Sequence, residues 1–537
     1  MPAPRFLLIT IGLAAASCYS PEANREWADR AVYSVLDKAS EKVLGETRDF
    51  VVERPVDTLR RRLLTTREPI QLSLADALDV AAENSREFQR QKESLYLAAL
   101  NLTSTLNDFR VRFGGGANSA ASGQSDAGDT ASITNGVDLS ARATSVAGAN
   151  ILVSFADTWL RQLLSTGDQF DGSPLLNLTI TQPLLRGAGR QIAREPLTQA
   201  ERNVIYAIRD FERYRSQFAI DLVADYWNVV QQMADLRNVE SNYASFKLSR
   251  EQIEELYNAG RRTIVDLGRA QQSEYSSDAQ RVRAANQLQN SLDSFKLTLG
   301  LPITAQITLD PEELKRLVEA GVQEVDIEES AAVRLSLQRR YDYQTIVDEV
   351  EDVGRRVLIA ANALNLGLDF TAAISVPSDA DAPNTLDWSK INWSAGVSLD
   401  LFLDRIPLRN AYRSQLITFD RTLRAREQAE DQRTAAVRRS LRNIQAALDS
   451  YKIQKFAVDL AEQRVEATTD LYAANRVAAL DKLDAQDSLL SAQLNRNAAI
   501  VDYAIARLQL MNDLEAVRLS PQGLRFDLNL PMPESAE

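Results

Sequence analysis

Apolar residues at three-four spacing run from Val204 through Ile208, Phe211, Phe218, Leu222, Val229, Leu236, Val239, Tyr243, Phe246 and Ile253 to Tyr257. Arg215, Asp225, Gln232 and Arg250 interrupt the stripe, and Pro196 is the only proline between positions 188 and 258. Such a seam, held over roughly seven heptads, predicts one coiled-coil-type helix over 188–258. A second stripe, Val437, Leu441, Ile444, Leu448, Tyr451, Val458, Val465 and Tyr472, predicts another over about 408–473. At the helical rise each would be about 100 Å long. Shorter helices are predicted over 73–106, 264–299, 328–366 and 478–514. Two of these stacked end to end match one long helix, so each half can set one long helix beside two short ones. Ser73 with Asp76 three residues on is a capping start signal, and Asp310-Pro311-Glu312-Glu313 opens a short helix between the halves.

Elsewhere the period falls to two. Phe109, Val111 and Phe113 alternate with polar residues before Gly114-Gly115-Gly116 and a Ser/Gly/Asp-rich stretch to Asp129. Val137, Leu139 and Ala141 alternate, as do Leu176, Leu178 and Ile180 up to Gln182-Pro183. In the second half Leu366, Leu368, Phe370 and Ala372 alternate, and then Val397, Leu399, Leu401 and Leu403. Alternation over roughly ten residues with one apolar face is the signature of a transmembrane β-barrel strand. Trp388 and Trp393 fit an aromatic girdle. Four strands per chain cannot close a barrel, whereas three chains would supply twelve. The stretch Val137 to Phe155 leaves open a further hairpin.

The halves also match residue by residue. Leu256–Asp266 aligns with Leu471–Asp481 without a gap, and Ala270-Gln271 falls in step with Ala485-Gln486. An internal repeat of this kind decides architecture: mainly α with a β-barrel part, built twice.

Composition narrows the function. The net charge of −13 opposes nucleic-acid binding and broad attachment to anionic lipid. Histidine is absent, which removes the commonest general base and metal ligand. The single cysteine, Cys18, excludes internal disulfides and thiolate zinc sites. There is no Gly-rich phosphate loop, nucleophile elbow or metal-spaced carboxylate cluster, so the chain reads as a non-enzyme with no cofactor and no metal. Arg5, the apolar run Phe6–Ala16 and the small residues before Cys18 make a secretory signal over 1–17. Ala15-Ala16-Ser17-Cys18 matches a lipobox apart from Ala15 in place of Leu, so Cys18 is the expected lipidation site. Tyr19 to about Pro69 shows no apolar period and reads as a tether or surface strap.

Four segments carry a family resemblance: Thr179–Gly187, Ala259-Gly260 through Gln271, Leu299-Gly300-Leu301-Pro302 and Asp481-Lys482-Leu483-Asp484-Ala485-Gln486. Over roughly 71–515 the chain resembles the TolC-like outer membrane efflux proteins. The resemblance implies a homotrimer in the bacterial outer membrane, with a twelve-stranded barrel continued by an α-helical periplasmic tunnel. It also implies docking to a periplasmic adaptor and an inner-membrane pump. On the matching positions, Ala259, Gly260 and Arg261 with Ala474, Asn475 and Arg476 are the expected docking tips. Asp481 and Asp484 are the expected aperture carboxylates. Tyr472 and Asp266 form the expected latch pair between hairpins, while Val477 stands where the family has its latch arginine.

The expected organisation is a signal (1–17), a tether (18–70), repeat one (71–305), a connector (306–326), repeat two (327–516) and a tail (517–537). The function that follows is the exit duct of a tripartite efflux or type I secretion system. The alternative is a structural coiled-coil envelope lipoprotein without a pore.

Overall fold

The structure, a computed structural model, describes residues 20–46, 50–55, 57–65, 69–124, 130–162, 170–322, 324–379, 382, 385–401, 403–474, 476–520 and 523–526. The signal segment, Cys18 and Asn475 lie outside the described residues. The first half runs α1 (Pro21–Leu44), α2 (Leu59–Thr65), β1 (Ile70–Leu72), α3 (Leu74–Asn84), α4 (Arg86–Asp108), β2 (Arg112–Gln124), β3 (Thr130–Thr144), β4 (Asn150–Gln162), β5 (Phe170–Gly172), β6 (Leu175–Pro183), α5 (Arg190–Ala193), α6 (Glu195–Asn258) and α7 (Ile264–Thr298). A connector, β7 (Ile307–Leu309) and α8 (Glu313–Ala320), leads to α9 (Glu329–Arg339), α10 (Tyr341–Asn362), β8 (Gly367–Val376), β9 (Asn392–Asp400), α11 (Ile406–Ala473) and α12 (Ala479–Asp513). The chain divides into two units, one within 1–45, 96–207 and 346–427, the other within 46–95, 208–345 and 428–537.

The first unit contains the sheet. Its long strands lie antiparallel in the order β2-β3-β4-β6-β8-β9, with the short β5 added to β4. The sequence predicts four strands and hence a twelve-stranded barrel for three chains. The chain instead supplies six long strands, which overturns that count. Val137–Phe155 does form the extra hairpin, β3 and β4 around a turn at 145–149, where Ser145 N donates to the Ala149 carbonyl at 2.7 Å. The Gly/Ser stretch after Phe113, whose composition is that of a loop, continues as β2 because its residues fit beneath a neighbour. A Cβ on Gly114, Gly115 or Gly116 would stand 3.0, 3.0 or 2.6 Å from side-chain atoms of Ser140, Leu139 or Asp138.

Pairing register sorts the sheet into two faces. One row crosses all six strands as Phe113, Ala141, Val153, Leu178, Ile374 and Trp393. A neighbouring row on the opposite face reads Gly114, Ser140, Ser154, Asn177, Ser375 and Asn392. The apolar face is uncovered within the chain, with Phe113 84% and Trp393 77% exposed. No helix among the described residues is long and apolar enough to cross a membrane.

Also in this unit, α1 occupies part of the segment whose sequence shows no apolar period. Ser20 caps it, accepting from Ala23 N at 3.2 Å, and Pro21 sits in its first turn, so capping starts it where an apolar stripe does not. It buries Val32 and Leu36 and ties down at Asp29, which accepts from the Tyr96 hydroxyl at 2.6 Å.

The second unit is helical apart from the parallel pair β1–β7, whose three-residue strands carry no periodic signal. The seams of the long helices are buried as their spacing predicts: Leu222, Val229, Val239, Phe246 and Ile253 on α6, and Val437, Ile444, Leu448, Tyr451 and Val458 on α11. The segments predicted as single helices over 73–106 and 328–366 are each split by one extended residue, Ser85 (ψ 128°) and Arg340 (ψ 117°). At the second break the Arg340 guanidinium donates to Asp513 at 2.7 Å and to Asp342 at 3.0 Å. Gly300 closes α7 at φ 73°, and a Cβ there would fall 2.2 Å from the Asn84 carbonyl oxygen, so only glycine fits.

Candidate functional site

The expected site residues sit where the helix hairpins α6–α7 and α11–α12 turn, within the second unit. Both turns close with the same backbone bond: Arg261 N donates to Leu256 O, and Arg476 N to Leu471 O, each at 2.8 Å. Gly260 takes φ 69°, the left-handed conformation of a helix C-terminus. Ala259, Gly260, Arg261, Ala474 and Arg476 are all exposed. Two exposed apolar residues that the sequence reading missed stand beside them, Ile264 and Val265 at 62% and 56% exposure. Their signal was apolar side chains in a first helical turn outside the seam.

The expected latch pair is not joined. Asp266 belongs to the N-cap of α7: its carboxylate accepts from Thr263 N at 3.1 Å and Thr263 Oγ1 at 2.8 Å, and its own N–H donates to Thr263 Oγ1 at 3.2 Å. Those bonds, from Thr263's hydroxyl first and its backbone second, hold the Asp266 carboxyl below its ordinary value. Tyr472 lies in a different setting. Its ring packs on the cluster of Ile253, Leu267, Ala270 and Ala479, together with Tyr257. The Arg262 guanidinium carbon stands 5.0 Å from the ring centroid, and the Lys482 ammonium 5.5 Å. The buried Tyr472 hydroxyl has no hydrogen-bond partner. The sequence reading missed Arg262 and Lys482, because neither carries a motif and Arg262 reaches the ring only through the fold.

Asp481 and Asp484 are exposed on the first turns of α12, and neither makes an ion pair among the described residues. Asp481 also accepts from Ala478 N at 2.9 Å, the counterpart of Asp266's bond to Thr263 N. A third acid, Asp487, continues the same three-residue spacing. Burial, and after it the charge of Asp484, pushes its carboxyl above the ordinary value. No group of three or more potential metal ligands occurs among the described residues.

No protein-family model matches the sequence, and no curated protein matches it either. Solved structures do match by fold. The Campylobacter jejuni CmeC outer membrane channel superposes with a TM-score of 0.61 at 15% identity, over 82% of this chain and 85% of that one. CusC, described through transmembrane channel formation, gives 0.60 at 15%, over 87% and 96%. The outer membrane protein VceC of Vibrio cholerae gives 0.59 at 16%, over 82% and 95%. Over more than four fifths of its length, then, this chain has the fold of these outer membrane channels.

Proposed function

We propose that three copies of this chain assemble into an outer membrane conduit and catalyse no reaction. The observation that carries this reading is the sheet: six long strands, one apolar face, and two edges, β2 and β9, with no strand partner among the described residues. A sheet edge left open in hydrocarbon exposes unsatisfied backbone groups at several kcal/mol each, so a membrane sheet must close. Six strands from each of three chains make an eighteen-stranded barrel, within the size range of water-filled pores. Barrel diameter grows roughly linearly with strand number, so the bore would be about one and a half times that of twelve strands.

In this reading the helical hairpins form the periplasmic tunnel, and their exposed tips dock a periplasmic adaptor that brings an inner-membrane pump. The apolar pair Ile264 and Val265 would be covered in that contact. Asp481 and Asp484, three residues apart on one face, would ring the narrow end and favour cations. Cys18 would carry the lipid anchor. The structural lipoprotein alternative leaves the apolar sheet face without a purpose.

Cysteines placed on the two edges, at Ala117 of β2 and Val397 of β9 in a Cys18→Ser background, test the closure. Disulfide-linked trimers on a non-reducing gel, together with a trimeric mass by light scattering, are expected. A monodisperse monomer would overturn the proposal. Anchoring is tested by acyl-chain labelling, which Cys18→Ser should abolish.

A further inference from the structure

We infer that two adjoining cavities at the helical end of the sheet hold the phosphate headgroup of an anionic phospholipid, drawn from the membrane leaflet that this end of the sheet meets. The inference rests on the conduit reading in one respect, that the sheet lies in a membrane. Both cavities lie wholly within the first unit, and Thr198 lines both. One, of about 350 Å³, is walled by Leu102 and Leu106 of α4, Ile205 of α6, and Lys38 and Lys42 of α1. The other, of about 270 Å³, is walled by Arg190, Ile192 and Arg194 at α5 and by Leu358 and Ile359 of α10. The chain passes from α4 into β2, from α10 into β8, and from β6 into α5 and α6, so the cavities sit where strands become helices. Leu106, Thr198 and Ile359 lie in the terminal turns of their helices. A helical turn rises about 5.4 Å, and a headgroup layer is about 5–8 Å thick on each side of the hydrocarbon. These turns therefore fall at headgroup depth once the apolar sheet face is in the membrane. Exposed Leu184 and Leu185 continue the apolar surface along the chain from β6 towards α5, and Leu358 is 58% exposed on the cavity wall.

The walls are apolar and their free charge is positive. Lys38 and Lys42 stand one helical turn apart on α1. Arg190 and Arg194 are also one turn apart, with Arg194 N donating to Arg190 O at 3.0 Å. Lys38, Lys42 and Arg190 are exposed and make no ion pair among the described residues. Arg194 reaches Glu201 at 3.3 Å, long for a charge-assisted bond, and its buried Nε has no hydrogen-bond partner. The other lining acid, Glu195, is taken by Arg355 at 2.9 Å. Asp37 and Glu41, beside the lysines on α1, do not line the cavity. Long cationic side chains rest their stems on apolar surface and hold their heads at headgroup depth, where each attracts anionic lipid. The net charge of −13 opposes attachment to anionic lipid over the whole surface, so this local reversal of sign binds a headgroup rather than a membrane face.

Native mass spectrometry of the purified full chain in detergent, titrated with phosphatidylglycerol, counts bound lipid and gives its affinity. One phosphatidylglycerol per chain is expected. Lys38→Gln/Lys42→Gln and Arg190→Gln/Arg194→Gln should each weaken it about tenfold. Phosphatidylcholine, whose phosphate is offset by its own cation, should bind at least about tenfold more weakly than phosphatidylglycerol. Inorganic phosphate at the lipid's concentration should displace none of it, because the apolar wall holds acyl chain. Equal affinity of the parent and both double variants overturns the site, as does equal binding of the two lipids. Displacement by inorganic phosphate makes it a site for free ions and overturns it too. Loss of the trimeric mass in the variants, with lipid binding unchanged, assigns the cavities to a second copy of the chain and overturns it as well. Lys38 and Lys42 are exposed, so their double variant decides the matter even if the arginine variant fails to fold. Conductance in planar bilayers separates the two readings. A channel whose lipid binding ignores the variants keeps the conduit alone, whereas the expected binding pattern in a protein that conducts nothing keeps the site and overturns the conduit.

Discussion

The hairpins α6–α7 and α11–α12 follow one plan, and the places where they part show which positions geometry demands. Both tips close with the same 2.8 Å backbone bond. Both final helices also end alike: Leu301 N donates to Lys296 O at 2.8 Å, and Ala516 N to Met511 O at 2.9 Å. The side chains around those bonds differ. Thr263 completes a reciprocal cap with Asp266, while its counterpart Ala478 has no hydroxyl and leaves Asp481 with half a cap. Arg262 corresponds to Val477, and Lys482 to Leu267, so only Tyr472 of the two matched tyrosines has cations on its ring. At the helix end Gly300 corresponds to Glu515, the only non-glycine residue with positive φ (52°) among those described. The carboxylate of Glu515 meets the Arg213 guanidinium at 3.4 Å. Backbone bonds are what the repeat preserves. The second hairpin departs from it where a charged group is held against the resident backbone preference.

The sharpest way to break this comparison is to exchange the helix ends. Gly300→Ala puts a methyl against the Asn84 carbonyl at a left-handed φ. It should destabilise by more than about 3 kcal/mol in thermal or denaturant unfolding. A cost below about 1 kcal/mol would mean that the α7 end adapts freely.

Glu515 should show a pH dependence that Gly300 cannot. Burial outweighs the attraction of Arg213 and Arg340 and pushes its carboxyl up to about 7. The folded state therefore binds this proton more tightly than the unfolded chain. Its contribution is present at low pH and is lost as pH rises from about 4.5 to about 7, by at most about 3 kcal/mol. Comparing unfolding midpoints at pH 5 and pH 8 should show a smaller drop in Glu515→Gln than in the parent. Equal drops would place the titration elsewhere.

The caps give a smaller effect with opposite signs. Thr263→Ala should cost about 1 kcal/mol, and Ala478→Thr should gain several tenths, read by hydrogen exchange in the first turns of α7 and α12. Smallest is Val477→Arg, which gives the second tip the arginine that the first has. It should change the tip's stability by about 0.5 kcal/mol or less, because an exposed cation–π contact is worth little more.

The long helices were legible because a buried seam forces a period that no local exception can hide. The tips were legible through the repeat. The β2 strand was not, since Gly114-Gly115-Gly116 has the composition of a loop and is there to make room for side chains of β3. Strand number was misjudged because the Val137–Phe155 hairpin, β3 and β4, stood outside the count of four. The latch pair was named through the family resemblance, and in this structure the Asp266 carboxylate is bonded to Thr263. The Thr263–Asp266 cap has the same spacing as Ser73–Asp76 and was open to a sequence reading, whereas nothing in the sequence disclosed that Arg262 crosses to a ring some two hundred residues on.

If the chain assembles as proposed, the two sheet edges left unpaired among the described residues have a consequence for its life beforehand. β9 carries one charge, Asp400, and β2 one, Arg112; neither strand contains a proline. These are the devices by which edge strands ordinarily repel unwanted partners. In the proposed conduit, an unassembled copy thus displays two adhesive borders of nine to thirteen residues and has little to ward off the wrong neighbour. Its survival becomes a race between correct meeting and aggregation. The outcome depends on how many copies are present and on how long each is chaperoned.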